Sequence, residues 1–497
     1  MSLLDFSRRQ TLRLMTGSAC ALLVPAALQK SVRANPTPSS SDFLALQKSL
    51  RGNVVPKENA TFVTTRQSMV WNKRVSDLRS PDAIVQVASA QDVVAAVKFA
   101  RANRMKIAVR SGGHNYHGTV LRDGGLLLDL SRLRAIDINA PRHRASVQPA
   151  VKSGDFAAAL APHGLAFPVG HCSDVGLGGY ILNGGFGWNM GEWGPACMSV
   201  TGIEMVTASG DLVYADEKHN RDLFWAARGA GPGFFAVVTR FDVTLYPTRP
   251  AIQSYAVNFD LDAAPTIAKW LPAAIRSLHP TVEIDIALGP IDSTGKAVIG
   301  ISAVAFASSE AEASGRIEPL RSLPMQAKPI GPVIDQSVSF KDLLELTDSG
   351  FPGNKRMAGD QQWSEASPDA LIAAAQHLAR DAPPAPSAIV IVCMGGSAQA
   401  HLMPSPDQAA LSRGGGTFIG AYAFWDASAE DASSRGWVRS VLDATAPYRL
   451  GGYIGEADLS ISPDRARDCF STAAWERLVV LKKKLDPDDL FYSYLTS

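Results

Sequence analysis

The chain reads as an α+β protein in two interlocked parts. An α/β part spans residues 61–247 and returns at 448–497, and an antiparallel sheet covered by helices occupies 248–447 between them. At 497 residues the chain is long for one core. Its first half alternates short apolar strands with capped helices, whereas its middle runs in long alternating strands separated by Ala-rich helices. Hydrophobic residues at 46% and charged residues at 19% supply apolar surface for both parts and exclude disorder for most of the chain.

Ser7-Arg8-Arg9-Gln10-Thr11-Leu12 sets paired arginines ahead of an apolar stretch from Leu14 to Leu28, the pattern of a twin-arginine export signal. The stretch is too short and too rich in Ala, Gly and Ser to span a membrane, and Val32-Arg33-Ala34 offers small residues for cleavage. Residues 1–34 are therefore expected to pass through the twin-arginine machinery and leave a mildly acidic, periplasmic or secreted protein without a membrane anchor; an uncleaved apolar anchor is the alternative. That route moves folded chains, often with a cofactor inserted, which makes a redox cofactor an expectation. Residues 35–60, rich in Pro, Ser and Thr at their start, read as a flexible leader followed by a short helix.

From Ala83 the pattern gives a strand (Ile84 to Val87), a helix opened by Ser89 with Asp92 as capping partner, and a second strand (Lys106 to Val109). Further strands are expected at Leu126 to Leu130 and around Val147, with a helix from Ser153 to His163 stopped by Gly164. A long alternating strand from Phe235 to Val243 ends at Pro247, where the first part closes. Beyond it, strands at Val282 to Leu288, Ala297 to Phe306, Ile389 to Met394 and Thr417 to Trp425 flank helices such as Ser309 to Leu323, which suggests an antiparallel sheet with helices on one face. A helix around Trp475 to Lys484 stops before Asp486-Pro487.

The formal net charge of +1 and the lack of any Lys/Arg block exclude nucleic acid as the main partner. Cys20 falls in the signal, and Cys172, Cys197, Cys393 and Cys469 are widely spaced with no CxxC pair, so neither a disulfide framework nor a zinc site is expected. The last three read as small buried hydrophobes. His117 lies three residues from His114 without an acidic neighbour in sequence and reads as a supporting histidine rather than a metal ligand.

Two glycine-rich segments carry the chemistry. Arg110-Ser111-Gly112-Gly113-His114-Asn115-Tyr116-His117-Gly118 places paired glycines directly after a strand, where their N–H groups suit pyrophosphate oxygens. GxGxxG is absent, so this is not the Rossmann pattern. The run from Val169 to Gly187 holds so many glycines that neither a stable helix nor a strand interior is expected, and close packing against a large planar or phosphorylated ligand would compensate for the lost entropy.

With these residues the chain resembles the FAD-linked oxidases sharing the fold of vanillyl-alcohol oxidase and p-cresol methylhydroxylase, in the branch typified by berberine bridge enzyme. The similarity covers about Thr61 to Pro247 and Tyr448 to Phe491. It implies a two-part, PCMH-type FAD-binding domain, a substrate domain at 248–447 and a C-terminal segment at 448–497 that rejoins the FAD domain. Residue by residue, R-S-G-G-H-x-Y-x-G implies that His114 bonds the flavin C8-methyl, and G-x-C-x-x-V-G-x-G-G implies that Cys172 bonds flavin C6. The resemblance adds Arg110, Ser111, Gly112, Gly113, Asn115, Gly118, Val175, Gly176, Gly179, Gly184 and Gly185 to the flavin-binding set, with Val200 and Ile203 on the adenine side. Departures from the family at Gly229 to Phe235, at Thr472 to Leu478 and at Tyr492-Ser493-Tyr494 bear on substrate rather than cofactor.

Taking a hydride from substrate requires a base. Relatives carry a tyrosine at the Phe186 position or in a Y-x-N-Y segment; here Glu456 stands where the second tyrosine is expected, which makes Glu456 the first candidate base and Tyr422 and Tyr453 the alternates. A valine three residues after the covalent Cys goes with oxidase behaviour in relatives, so Val175 implies oxygen as acceptor and hydrogen peroxide as product. The expectation is an exported FAD oxidase acting on a small alcohol, phenol, amine or sugar-like substrate. A periplasmic dehydrogenase feeding a quinone or cytochrome and a non-catalytic flavin- or ligand-binding protein are the alternatives.

Overall fold

A computed structural model of the protein describes residues 38–290, 294–396, 402–461 and 464–495; the twin-arginine segment lies outside them. The described residues begin inside the expected leader. Ser39 and Asp42 form a reciprocal capping box that starts the helix Ser40–Ser49, and Phe43 and Leu46 are buried from it into the core. Strand β1 (Asn53–Pro56) then pairs antiparallel with β2 (Ala83–Gln86). Two apolar residues one turn apart are enough to dock a segment whose composition reads as a leader.

Strands β3 (Ile107–Arg110) and β4 (Leu126–Asp129) complete a four-stranded sheet in the order β1-β2-β4-β3, in which β2, β4 and β3 run parallel. The helix Ala90–Ala102 makes the crossover between β2 and β3, with Ser89 accepting from Asp92 N as the spacing predicts. The Asp92 carboxylate, though buried, accepts from the backbone N–H groups of Arg51, Gly52 and Ala88, tying the leader to the first turn. At the chain's other end the helix Thr472–Leu485 hands over to Asp486, whose carboxylate accepts from Leu490 N and Phe491 N and pairs with buried Lys482. Phe491 thereby lies beside Ile107, so the C-terminus extends the first sheet.

Next along the chain come β5 (Ile136–Asn139), β6 (Arg144–Val147), β7 (Leu165–Ala166), β8 (Val200–Thr207), β9 (Leu212–Ala215), β10 (Ala236–Thr244) and β11 (Tyr246–Pro247). β7 and β11 pair with each other, and the rest form a five-stranded antiparallel sheet in the order β5-β6-β10-β8-β9. The first two sheets share one apolar core.

The middle of the chain builds an eight-stranded sheet from β12 (Ala251–Asp260), β13 (Glu283–Pro290), β14 (Ala297–Ala307), β15 (Pro329–Ser337), β16 (Arg356–Ser364), β17 (Ala388–Met394), β18 (Thr417–Trp425) and β19 (Arg449–Gly451). Its order is β15-β12-β14-β13-β17-β18-β16-β19, antiparallel throughout. Period-2 alternation divides its faces. Ile284, Ile286, Ile389, Ile391, Ile419 and Ala421 join a second core with the helices Ala264–Ser277, Glu310–Arg321, Pro368–Ala375 and Asp431–Thr445. The intervening residues Glu283, Asp285, Val390, Val392, Phe418 and Tyr422 face a cavity instead. This is the helix-covered antiparallel sheet that the sequence predicts.

Candidate cofactor and active site

A cavity of about 540 Å³ runs between the two glycine segments and the open face of the large sheet, within the size range of small-molecule sites. Its lining includes Ile107, Arg122 and Tyr492 as well as Glu283, Val392 and Met394. Its floor is where the two glycine segments meet. A Cβ on Gly112 would lie 2.7 Å from Gly176 N, and one on Gly176 would lie 2.7 Å from Gly112 Cα, so only glycines let the two backbones touch. Gly113, at φ +75°, makes the turn that delivers His114.

Ser111, Gly112, Gly113, His114, Asn115, Cys172, Val175, Gly176 and Gly179 all line this cavity. The other expected cofactor residues stand behind the wall. Arg110 braces the turn, its guanidinium bonding Asp129, Met69 O and Gly112 O. Gly118 packs on Val75, Gly184 against Leu411, and Gly185 against Ala196 and Tyr180. Val200 and Ile203 are buried in the apolar core, with an irregularity in the pairing of β8 with β10 between them. The second glycine segment also contains a short helix, Leu177–Leu182, contrary to the expectation from its glycine content. Gly178 earns its place there by close packing, since a Cβ would lie 2.8 Å from both Pro149 and Ser111 Oγ, while Gly179 faces open cavity.

The candidate bases gather on one wall. Tyr422, on β18, donates to Glu456 Oε2 at 2.6 Å, and Tyr116 lies 3.4 Å from the same oxygen and donates to Glu456 O at 3.1 Å. His117 Nε2 lies 3.0 Å from Glu456 O, and Asn115 donates to Gly455 O at 3.1 Å, so the loop after β3 holds the segment that presents Glu456. Burial first, and the Glu456 charge second, push the hydroxyls of Tyr116 and Tyr422 well above the ordinary tyrosine range. Tyr453 is raised by the same causes and packs edge-on against Phe186, ring centroids 5.0 Å apart. At neutral pH all three tyrosines are proton donors. His117 is buried, and among the described residues no group of three or more His, Cys, Asp or Glu is arranged to hold a metal.

Tyr116, Asn72, His171, Glu283 and Asp285 were not singled out from the sequence. Asn72, fully buried, donates to Tyr116 O and Met357 O and accepts from Met357 N and Arg74 N, clipping the His114 loop to β16. Nothing local marks it, because its partner at 357 is 285 residues away. His171 Nε2 lies 2.8 Å from Glu283 Oε1. Burial opposes the imidazolium, but Glu283 overrides it and His171 is pushed up to about 9. Burial and the Glu283 charge raise the neighbouring Asp285 carboxyl to about 7. The HPHP pattern of β13 was the available signal, since two acids sit among isoleucines at alternate positions.

Cys172 is buried, and burial followed by the charges of Asp348, Asp174 and Glu456 pushes its thiol far up. Cys172, Cys197, Cys393 and Cys469 are all unpaired, and Cys393 is only partly buried and reaches the cavity wall. A cavity lined by a backbone floor of glycines, an imidazole, a thiol and aromatic rings fits a flavin dinucleotide.

The FAD binding domain family matches residues 81–216. The FAD-linked oxidoreductase nodO of Hypoxylon pulicicidum is 28% identical over 83% of this chain and 91% of its own length. The (R)-6-hydroxynicotine oxidase of Paenarthrobacter nicotinovorans is 41% identical over 36% of this chain and 38% of its own. The fold superposes on berberine bridge enzyme from Eschscholzia californica with a TM-score of 0.78 at 18% identity, covering 91% of this chain and 98% of that one. The glycine floor, the family match and these relatives converge: the chain carries an FAD binding domain and is an FAD-dependent oxidoreductase, with the fold of berberine bridge enzyme.

Proposed function

We propose that the protein is an exported oxidase that holds FAD through both His114 and Cys172 and takes a hydride from a small alcohol, phenol, amine or sugar-like substrate. The observation that carries this reading is the meeting of His114, Cys172 and Glu456 on the wall of one cavity. FAD, when bound, supplies the two-electron acceptor; the chain's own residues supply position and proton transfer. Glu456 takes the substrate proton. Tyr422, at 2.6 Å, orients the carboxylate and stabilises its anion, and Tyr116 secures the backbone beneath it. Phe186, Trp363 and Phe418 line the substrate end with rings and keep water out.

Oxygen is the acceptor on this reading, with hydrogen peroxide as product, and half-buried Val175 on the cavity wall is the residue that supports it. Export rests on the paired arginines Arg8 and Arg9 ahead of the apolar stretch, which argue for a periplasmic or secreted protein; the shortness of that stretch argues against a membrane anchor, and the net charge of +1 without a Lys/Arg block argues against a nucleic-acid partner. Among the described residues no helix is long and apolar enough to cross a membrane.

A panel of alcohols, phenols, amines and sugars, scored by anaerobic bleaching of the yellow protein, identifies the substrate. Glu456→Gln should then slow bleaching by about 10²- to 10⁴-fold with little change in substrate binding. An unaffected rate removes Glu456 from the mechanism. Acid-precipitated protein should keep its pigment in the pellet; pigment left in the supernatant ends the bicovalent reading.

A further inference from the structure

His114 reaches the cavity from the loop after β3, and one of its ring nitrogens already faces a carboxylate. Nδ1 is buried and lies 3.1 Å from Asp174 Oδ1, close enough for an ion pair though without the angle of a hydrogen bond, and no other described group bonds it. The indole N–H of Trp71 bonds the His114 carbonyl oxygen at 2.7 Å, so it fixes the backbone and leaves the imidazole to Asp174. Asp174 is two residues beyond Cys172 and its side chain is 53% exposed, which lets its carboxylate exchange protons with water. The contact with His114 holds the Asp174 carboxyl below its usual range despite burial of part of the group, and Lys152 adds to this. A carboxylate on one imidazole nitrogen fixes the proton there, leaves the lone pair on the other, and stabilises positive charge as that lone pair attacks.

We propose that Asp174 is the proton acceptor that makes His114 a nucleophile, so that formation of the histidine tether depends on the Asp174 carboxylate. This rests on the bicovalent reading above. In the tethering reaction an N–C bond forms between the imidazole and the C8-methyl carbon. One proton leaves the imidazole for Asp174 and one leaves the methyl carbon. The two electrons released remain on the ring system until dioxygen removes them, with two protons, as hydrogen peroxide. No carboxylate of the catalytic wall is needed: Glu456 is engaged by Tyr422 and Tyr116.

The test uses the full-length chain carrying Cys172→Ala, so that every tethered flavin sits on His114. Protein is mixed with FAD in air, and tethered flavin is followed by in-gel fluorescence after denaturation, with binding of untethered FAD measured separately by fluorescence quenching. Asp174→Asn in this background should slow tethering at least tenfold while untethered FAD still binds, and formate should restore part of the rate to Asp174→Ala. Asp174→Glu should tether faster than Asp174→Asn. Equal tethering rates with and without the carboxylate overturn the role of Asp174 alone. A Cys172→Ala chain that binds FAD but never tethers it overturns both this role and the histidine bond on which it rests.

Discussion

Tyr422→Phe separates two readings of the catalytic wall. In the native chain Glu456 Oε2 accepts a hydrogen bond of 2.6 Å from Tyr422, and the next donor, Tyr116, stands at 3.4 Å. Removing the Tyr422 hydroxyl therefore strips the carboxylate of its one short, charge-assisted bond. Such bonds are worth about 1.5–3 kcal/mol, so at about 1.4 kcal/mol per factor of ten the flavin-reduction rate in stopped-flow measurements should fall by about 10- to 150-fold. If Tyr422 were itself the base, Tyr422→Phe would lose as much as Glu456→Gln, and the double variant would lose no more than either alone. A Tyr422→Phe rate equal to the native one, or a Glu456→Gln rate faster than that of Tyr422→Phe, would refute the assignment of the proton to Glu456.

Asn72→Ala removes four hydrogen bonds, three of them buried and joining the His114 loop to β16, and at roughly 1 kcal/mol each it should cost about 3–4 kcal/mol in denaturant titration. A loss below 1 kcal/mol would mean the clip is not needed. Asp285→Asn tests the acidic end of the cavity through pH. A carboxyl raised from 3.8 to about 7 disfavours the folded state progressively as pH climbs through that window. His171, raised from 6.5 to about 9, adds stability that is complete below 6.5 and lost as pH rises through about 9. The native melting temperature should therefore fall between pH 5 and pH 9, and Asp285→Asn should flatten the portion below about pH 7; identical slopes in the two proteins would contradict this.

Much of the architecture was legible because it is local. The Ser89–Asp92 cap, the alternation in Ala297–Ala307 and Thr417–Trp425, and the stop before Asp486-Pro487 are all written within a few residues of where they act. The glycine segments were legible for the same reason, since backbone approach at Gly112 and Gly176 demands glycine whatever surrounds it. His114, Cys172 and Glu456 could be named from sequence because the motifs around them resemble those of berberine bridge enzyme-like oxidases. Their meeting could not: it depends on β18 carrying Tyr422 to Glu456 and on Asn72 reaching residue 357, contacts between segments far apart in the chain. Tertiary structure likewise decided that Arg110, Val200 and Ile203 stand behind the wall, and that Glu283 and Asp285 share it with His171. Local pattern specifies which residues a strand turns to each face, but what lies opposite that face is set only when the sheets pack.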